Sequence, residues 1–168
     1  MNKERLRKVA DSIWTSKARY GLQLYGEVRT NEDSRLTNCL DKLQKAQNKM
    51  LRTLENVRIS DKISVNSMLI KHKMLSINQL NAQIKLTEMW KANYVPSYPL
   101  EVQKRPSTSE GIITRGMLQD NLVEVSTRKT FIGDASRVWN KAPIAIRNAK
   151  SLSLAKQEIR KFCVTLPI

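Results

Sequence analysis

A single histidine, His72, is all the imidazole this chain has. With no clustered carboxylates and no partner cysteine beside it, it forms neither a nucleophile triad nor a zinc site. It lies in an otherwise apolar stripe, which reads as a core or rim position. The only cysteines, Cys39 and Cys163, stand far apart. They give no metal-ligand pair and no disulfide framework. Both fall on presumed apolar helix faces, so both are expected as buried free thiols. No two aspartates are adjacent: Asp11, Asp33, Asp41, Asp61, Asp120 and Asp134 are isolated. Several stand near expected helix starts or turns, where a carboxylate serves as a cap. A glycine-rich phosphate loop is missing. No uninterrupted apolar run is long enough to span a bilayer. Residues 1–8 are charged and lead into no apolar run, unlike a signal peptide. These absences predict a non-catalytic, soluble, intracellular chain with no cofactor, no metal site and no membrane span.

Acidic residues are also few. Lys and Arg number 30 against 15 Asp and Glu, a formal charge of +15 and an isoelectric point near 10.1. A merely solvated surface carries both signs, so the excess points to a polyanionic partner, above all nucleic acid. An anionic membrane surface is the runner-up. The hydrophobic fraction of 40% in 168 residues is ordinary for one folded domain with a real core.

Periodicity predicts helices. Residues 3–25 carry Leu6, Val9, Ala10 and Ile13 on one stripe, continued with drift by Trp14, Ala18, Gly21, Leu22 and Tyr25. Gly26 is a natural stop, and the glycines are expected to permit close helix–helix approach. The clearest helix spans about 34–55. Leu36, Leu40, Leu43, Met50 and Leu54 line one side, interrupted only by Gln47. Lys42, Lys45, Lys49 and Arg52 share an arc of roughly 80° on nearly the opposite side. Four cations on one face suit contact with a phosphate backbone without reading bases; a solvated lysine face is the bland alternative. A short helix is expected over 61–73, with Val65, Met68, Leu69 and His72 on one side. Ser76 to Gln79 reads as a capping box opening a helix to about 93 through Ile77, Leu80, Ile84, Met89 and Trp90.

The texture changes over 94–116, where Pro96, Pro99, Pro106, Gly111 and Gly116 exclude a long helix. We read this as a linker or extended arm whose Lys104, Arg105 and Arg115 can also meet phosphates. A weak strand-like or helical piece is expected within 116–125. Phe131, Ala135, Val138 and Trp139 then mark a helix that Thr130 caps and Pro143 ends near 139–141. Pro143 pushes Ala142 toward an extended conformation and suits the start of another short turn. Trp139 is read as a core anchor rather than a base-stacking platform. A last helix, 152–163, turns Leu152, Ala155, Ile159 and Phe162 inward and Lys156, Arg160 and Lys161 outward.

The stretch Trp139-Asn140-x-x-Pro143, followed by Ile146-Arg147, Ser151 and a basic amphipathic helix, resembles the C-terminal end of non-LTR (LINE-type) retrotransposon reverse transcriptases. The Tyr20-Gly21 helix and Met74-Leu-Ser-Ile-Asn-Gln-Leu80 agree in order, so the resemblance covers nearly the whole chain. Ala142, where many relatives carry Leu, and Leu154-Ala155, where many carry an aromatic, depart from the pattern. The resemblance implies the thumb-like helical region and tail beyond the catalytic palm, with Trp139, Asn140 and Pro143 as structural anchors. It also implies a grip on the backbone of RNA, DNA or their hybrid duplex, and the missing polymerase domains as a second partner. The palm's Asp-Asp pair, which holds two metal ions, has no counterpart here. The expected fold is all-α: a helical bundle over 1–93, a Pro/Gly-containing arm over 94–129, and a helical tail over 130–168 packing on the bundle. Such a chain would be a truncated or degenerate element product, or a fragment retained by a host. The alternative is a vestigial or protein-interaction module with no nucleic-acid role.

Overall fold

In the computed structural model, which describes residues 3–25, 38–103, 123 and 130–167, the regular elements are helical. They are α1 (Lys3–Tyr25), α2 (Asn38–Glu55), a 3-10 turn (Ile59–Asp61), α3 (Val65–His72), α4 (Ile77–Tyr94), α5 (Phe131–Lys141), α6 (Ile144–Arg147) and α7 (Leu152–Val164). The fold is all-α, and no described helix is long and apolar enough to cross a membrane. The chain divides into two compact units, residues 1–81 with 166–168, and residues 82–165. The division falls inside α4 and not in the loop after it.

In the first unit, Leu51, Met68, Leu69 and Met74 form a buried cluster against which Trp14, Met50, Val57 and Val65 pack. Burial of each such aliphatic side chain contributes about 1.5–3 kcal/mol. Glutamines organise the junction of α2 with the start of α4. Gln47 Nε2 donates to the Leu75 carbonyl at 2.8 Å, and Gln44 Nε2 donates to Gln47 Oε1 at 3.1 Å. Gln44 Oε1 accepts the Ile77 N–H at 3.0 Å. The expected capping box is present: the Ser76 N–H donates to Gln79 Oε1 at 3.1 Å, and the Gln79 N–H to Ser76 Oγ at 3.2 Å. Asn78 and Gln79 then donate to the carbonyls of Pro167 and Leu166, tying down the chain's last residues.

Five expectations need correction in this unit. The buried line of α2 runs through Leu40, Gln44, Gln47 and Leu51, about 50° round the helix from the leucine-centred stripe. The two glutamines are drawn inward because they satisfy backbone groups at the start of α4. Val9 and Ile13 of α1 are 52% and 54% exposed, so these two members of the expected stripe face solvent. Gly21 has nothing within 4 Å of where a Cβ would sit, so it permits no close approach. Cys39 is exposed, on the first turn of α2. The helix expected over 61–73 is shorter, because Lys62 and Lys73 adopt left-handed conformations at either end. The side chains of Leu6, Tyr25 and Leu36, and Gly26, lie outside the described residues.

In the second unit, α4 carries more than the expected apolar stripe. Lys85 is fully buried, ion-paired with Asp134 of α5 and 5.8 Å from the Phe131 ring centroid. Asp134 is thus the counter-charge of a buried lysine, a role its sequence position did not suggest. The anchor stretch behaves as expected. Thr130 Oγ1 accepts the Gly133 N–H at 3.3 Å, α5 ends at Lys141, and Ala142 is extended with φ −67° and ψ 149°. Pro143 is the N-cap of α6, and Trp139 is completely buried. Asn140 clamps Val123 from both sides, accepting its N–H at 3.0 Å and donating to its carbonyl at 2.8 Å. The buried Arg147 donates from Nε to the Ala142 carbonyl at 3.2 Å, and its own carbonyl accepts from the Tyr94 hydroxyl. Trp90 Nε1 donates to the Ala149 carbonyl at 3.2 Å. In α7, Ala155, Ile159 and Cys163 are buried, and burial pushes the Cys163 thiol up to about 12. The strand-like piece expected within 116–125 lies outside the described residues, Val123 excepted.

Candidate nucleic-acid interface

The exposed side of α2 and the turn that follows it build one feature. Glu55 ends the helix, and Asn56 takes the left-handed conformation with φ 56°. The Val57 N–H returns to the Arg52 carbonyl at 3.0 Å and the Asn56 N–H to the Thr53 carbonyl at 3.2 Å. This is a Schellman C-cap with Asn where Gly is commoner. Its hydrophobic contact is supplied by Val57, which packs on the cluster that holds Leu51. The next residues are fixed in turn: the Arg58 N–H donates to Asp61 Oδ2 at 2.7 Å, and the Lys62 N–H to the Ile59 carbonyl at 3.3 Å. Asp61 is therefore a cap, as the sequence suggests.

This reversal raises a second wall beside the helix. Between wall and helix lies an open groove of about 910 Å³. Lys45, Lys49 and Arg52 line it from α2 and Arg58 from the turn, and none of the lining residues is acidic. Asn48, Thr53 and Asn56 add uncharged polar groups, and Val57 and Ile59 an apolar patch. Arg52 Nη1 donates to the Arg58 carbonyl at 3.4 Å, which holds its guanidinium across the groove end. Lys45 is 2.7 Å from Asp41, one turn earlier, but stays 73% exposed, so that pair is weak and screened.

The carboxylate that ends α2 is engaged by α3 and does not line the groove. Glu55 pairs with Lys71 of α3 and lies 2.6 Å from His72 Nε2. The hydrogen bond from Lys71 holds the Glu55 carboxyl below its usual range, against the opposing effect of burial. His72 sits at the rim of the apolar cluster and latches α3 to α2.

Of the residues singled out in the sequence, Lys42, Lys45, Lys49 and Arg52 do share an accessible face, and three of them line the groove; Lys42 does not. Lys104 and Arg105 lie outside the described residues. Trp139, Asn140 and Pro143 belong to the other unit, where they hold the helical tail together. Sequence reasoning overlooked Arg58. The available signal was Asn56 as a left-handed helix stop, followed by Asp61 three residues past Arg58 as a cap. Among the described residues, no group of three or more His, Cys, Asp or Glu is placed to hold a metal ion. Comparisons with family models, curated proteins and solved structures return no significant match.

Proposed function

We propose that this chain is a non-catalytic, thumb-like helical module of the non-LTR reverse transcriptase type, acting inside the cell, that grips the phosphate backbone of RNA or DNA through α2. The observation that carries the reading is the acid-free groove with Lys45, Lys49, Arg52 and Arg58 on its walls. Cations without carboxylates between them lower the potential energy of a phosphate chain wherever it enters, whatever its sequence. The formal charge of +15 supports the same reading at longer range. So does the resemblance of the Trp139-Asn140-x-x-Pro143 stretch to the tail of such polymerases, whose remaining domains are the proposed second partner.

The test is a fluorescence anisotropy titration of the purified chain on an RNA–DNA hybrid across a salt series. Engagement of all four cations gives a log K against log salt slope of about −3 to −4. Lys45→Glu/Lys49→Glu is expected to weaken binding at least tenfold and to flatten that slope. Unchanged binding by this variant overturns the proposal.

A second reading, a protein-interaction module with no nucleic-acid role, is favoured by one observation. Val9, Ile13 and Tyr20 of α1 are 52%, 54% and 75% exposed and fall within an arc of about 40°. An apolar stripe of this kind marks a contact surface.

A further inference from the structure

We infer that the α2 groove takes an unpaired nucleotide with its flanking phosphates, so that the chain prefers single-stranded or bulged nucleic acid over continuous duplex. This rests on the proposal that the groove binds nucleic acid at all.

The argument begins with what a duplex grip would need. Following the outside of a double helix takes a row of cations on an open face, because the phosphates are the outermost groups. Lys42, Lys45 and Lys49 on a bare helix would meet that need. The chain adds a second wall, and the wall changes the shape from ridge to groove. Arg58 stands on that wall, facing the α2 cations from another element. The space between, about 910 Å³, lies within the range of roughly 300–1,000 Å³ typical of pockets that hold a small molecule.

The groove also holds groups that phosphates do not require. Asn48, whose Oδ1 accepts from Gln44 Nε2 at 2.9 Å, brings an amide with an Nδ2 donor to the groove lining. Thr53 donates its hydroxyl proton to the Lys49 carbonyl at 3.0 Å, which leaves its oxygen as an acceptor. Beside them Ile59 is 80% exposed, an apolar surface held in place by the 3-10 turn. A donor, an acceptor and an apolar face next to several cations match one splayed-out base and the phosphates beside it. In a continuous duplex the base face is stacked and the pairing edge is occupied. No aromatic lines the groove, so sequence-tolerant stacking on a ring is not the mode of binding. Edge contacts and phosphate contacts carry it.

The test uses the whole chain and four RNA probes of equal length at one salt concentration: a single strand, its blunt duplex, the same duplex with one bulged nucleotide, and a single strand of the corresponding DNA. The single strands and the bulged duplex are expected to bind at least fivefold tighter than the blunt duplex. Asn48→Ala/Ile59→Ser, both at accessible positions, is expected to remove that preference, with helicity by circular dichroism unchanged. Equal or tighter binding to the blunt duplex overturns the inference and leaves the backbone grip standing. A double variant that weakens all four probes alike does the same. Failure of every probe to bind at low salt overturns both.

Discussion

At the scale of single residues, the groups that matter are those whose neighbours were chosen far along the chain. Asn140 fulfils both hydrogen-bonding needs of Val123 with one amide; an apolar residue there would leave a buried backbone N–H and carbonyl to find other partners. Lys85 and Asp134, 49 positions apart, neutralise each other in the interior, where either alone would be costly to bury. Gly21 is the opposite case. It sits in α1 with nothing near its missing side chain, so it has the entropic cost of glycine without a packing reason. Gly21→Ala is expected to stabilise the first unit by about 0.5–1 kcal/mol, read as a higher urea midpoint by circular dichroism. A lower midpoint would place an unforeseen neighbour against that face.

At the scale of elements, α2 has a different task on each side. Inward it presents Leu40, Gln44, Gln47 and Leu51; outward it carries the cations of the groove; at its end it is latched to α3 by Glu55, Lys71 and His72. The latch has a pH signature. Glu55 ionises more readily in the folded chain than its ordinary value of 4.5, chiefly through Lys71. A carboxyl whose folded pKa is depressed contributes stability that is fully present above the unfolded value and is lost as pH falls through the folded one. Urea midpoints of the parent chain are therefore expected to fall as the pH is lowered from about 6 to about 3, and Glu55→Gln to flatten part of that fall. Identical acid limbs for the two proteins would show that the latch contributes nothing. Groove binding near neutral pH should be insensitive to this variant, because Glu55 is not among the groove residues.

At the scale of the whole molecule, two kinds of surface compete to define the chain: a cationic groove and the apolar stripe of Val9, Ile13 and Tyr20. Electrostatic attraction to a polyanion weakens with salt, whereas apolar association does not. Light scattering behind size exclusion separates them. If the stripe is a contact surface, the parent chain gains mass with concentration at about 0.5 M salt, and Ile13→Asp stays monomeric under the same conditions. A monomer at every concentration removes the observation that favours a protein-interaction role.

Much of the fold was already written in local patterns. Helical spacing, Thr130 as a cap, the Ser76–Gln79 box and the stop imposed by Pro143 act over a few residues, so the sequence alone determined that the chain is helical and where most helices begin and end. It also determined that four cations share one face of α2, since 3.6 residues per turn requires it. Tertiary structure decided which side of each helix is buried. Gln44 and Gln47 turn inward, against their polarity, because distant backbone groups of Leu75 and Ile77 offer them partners. Lys85 is buried because Asp134 meets it. The groove itself depends on a chain reversal at Asn56 that brings Arg58 beside α2. Periodicity reports the average environment of a helix face; it carries no information about a partner brought up by the chain folding back.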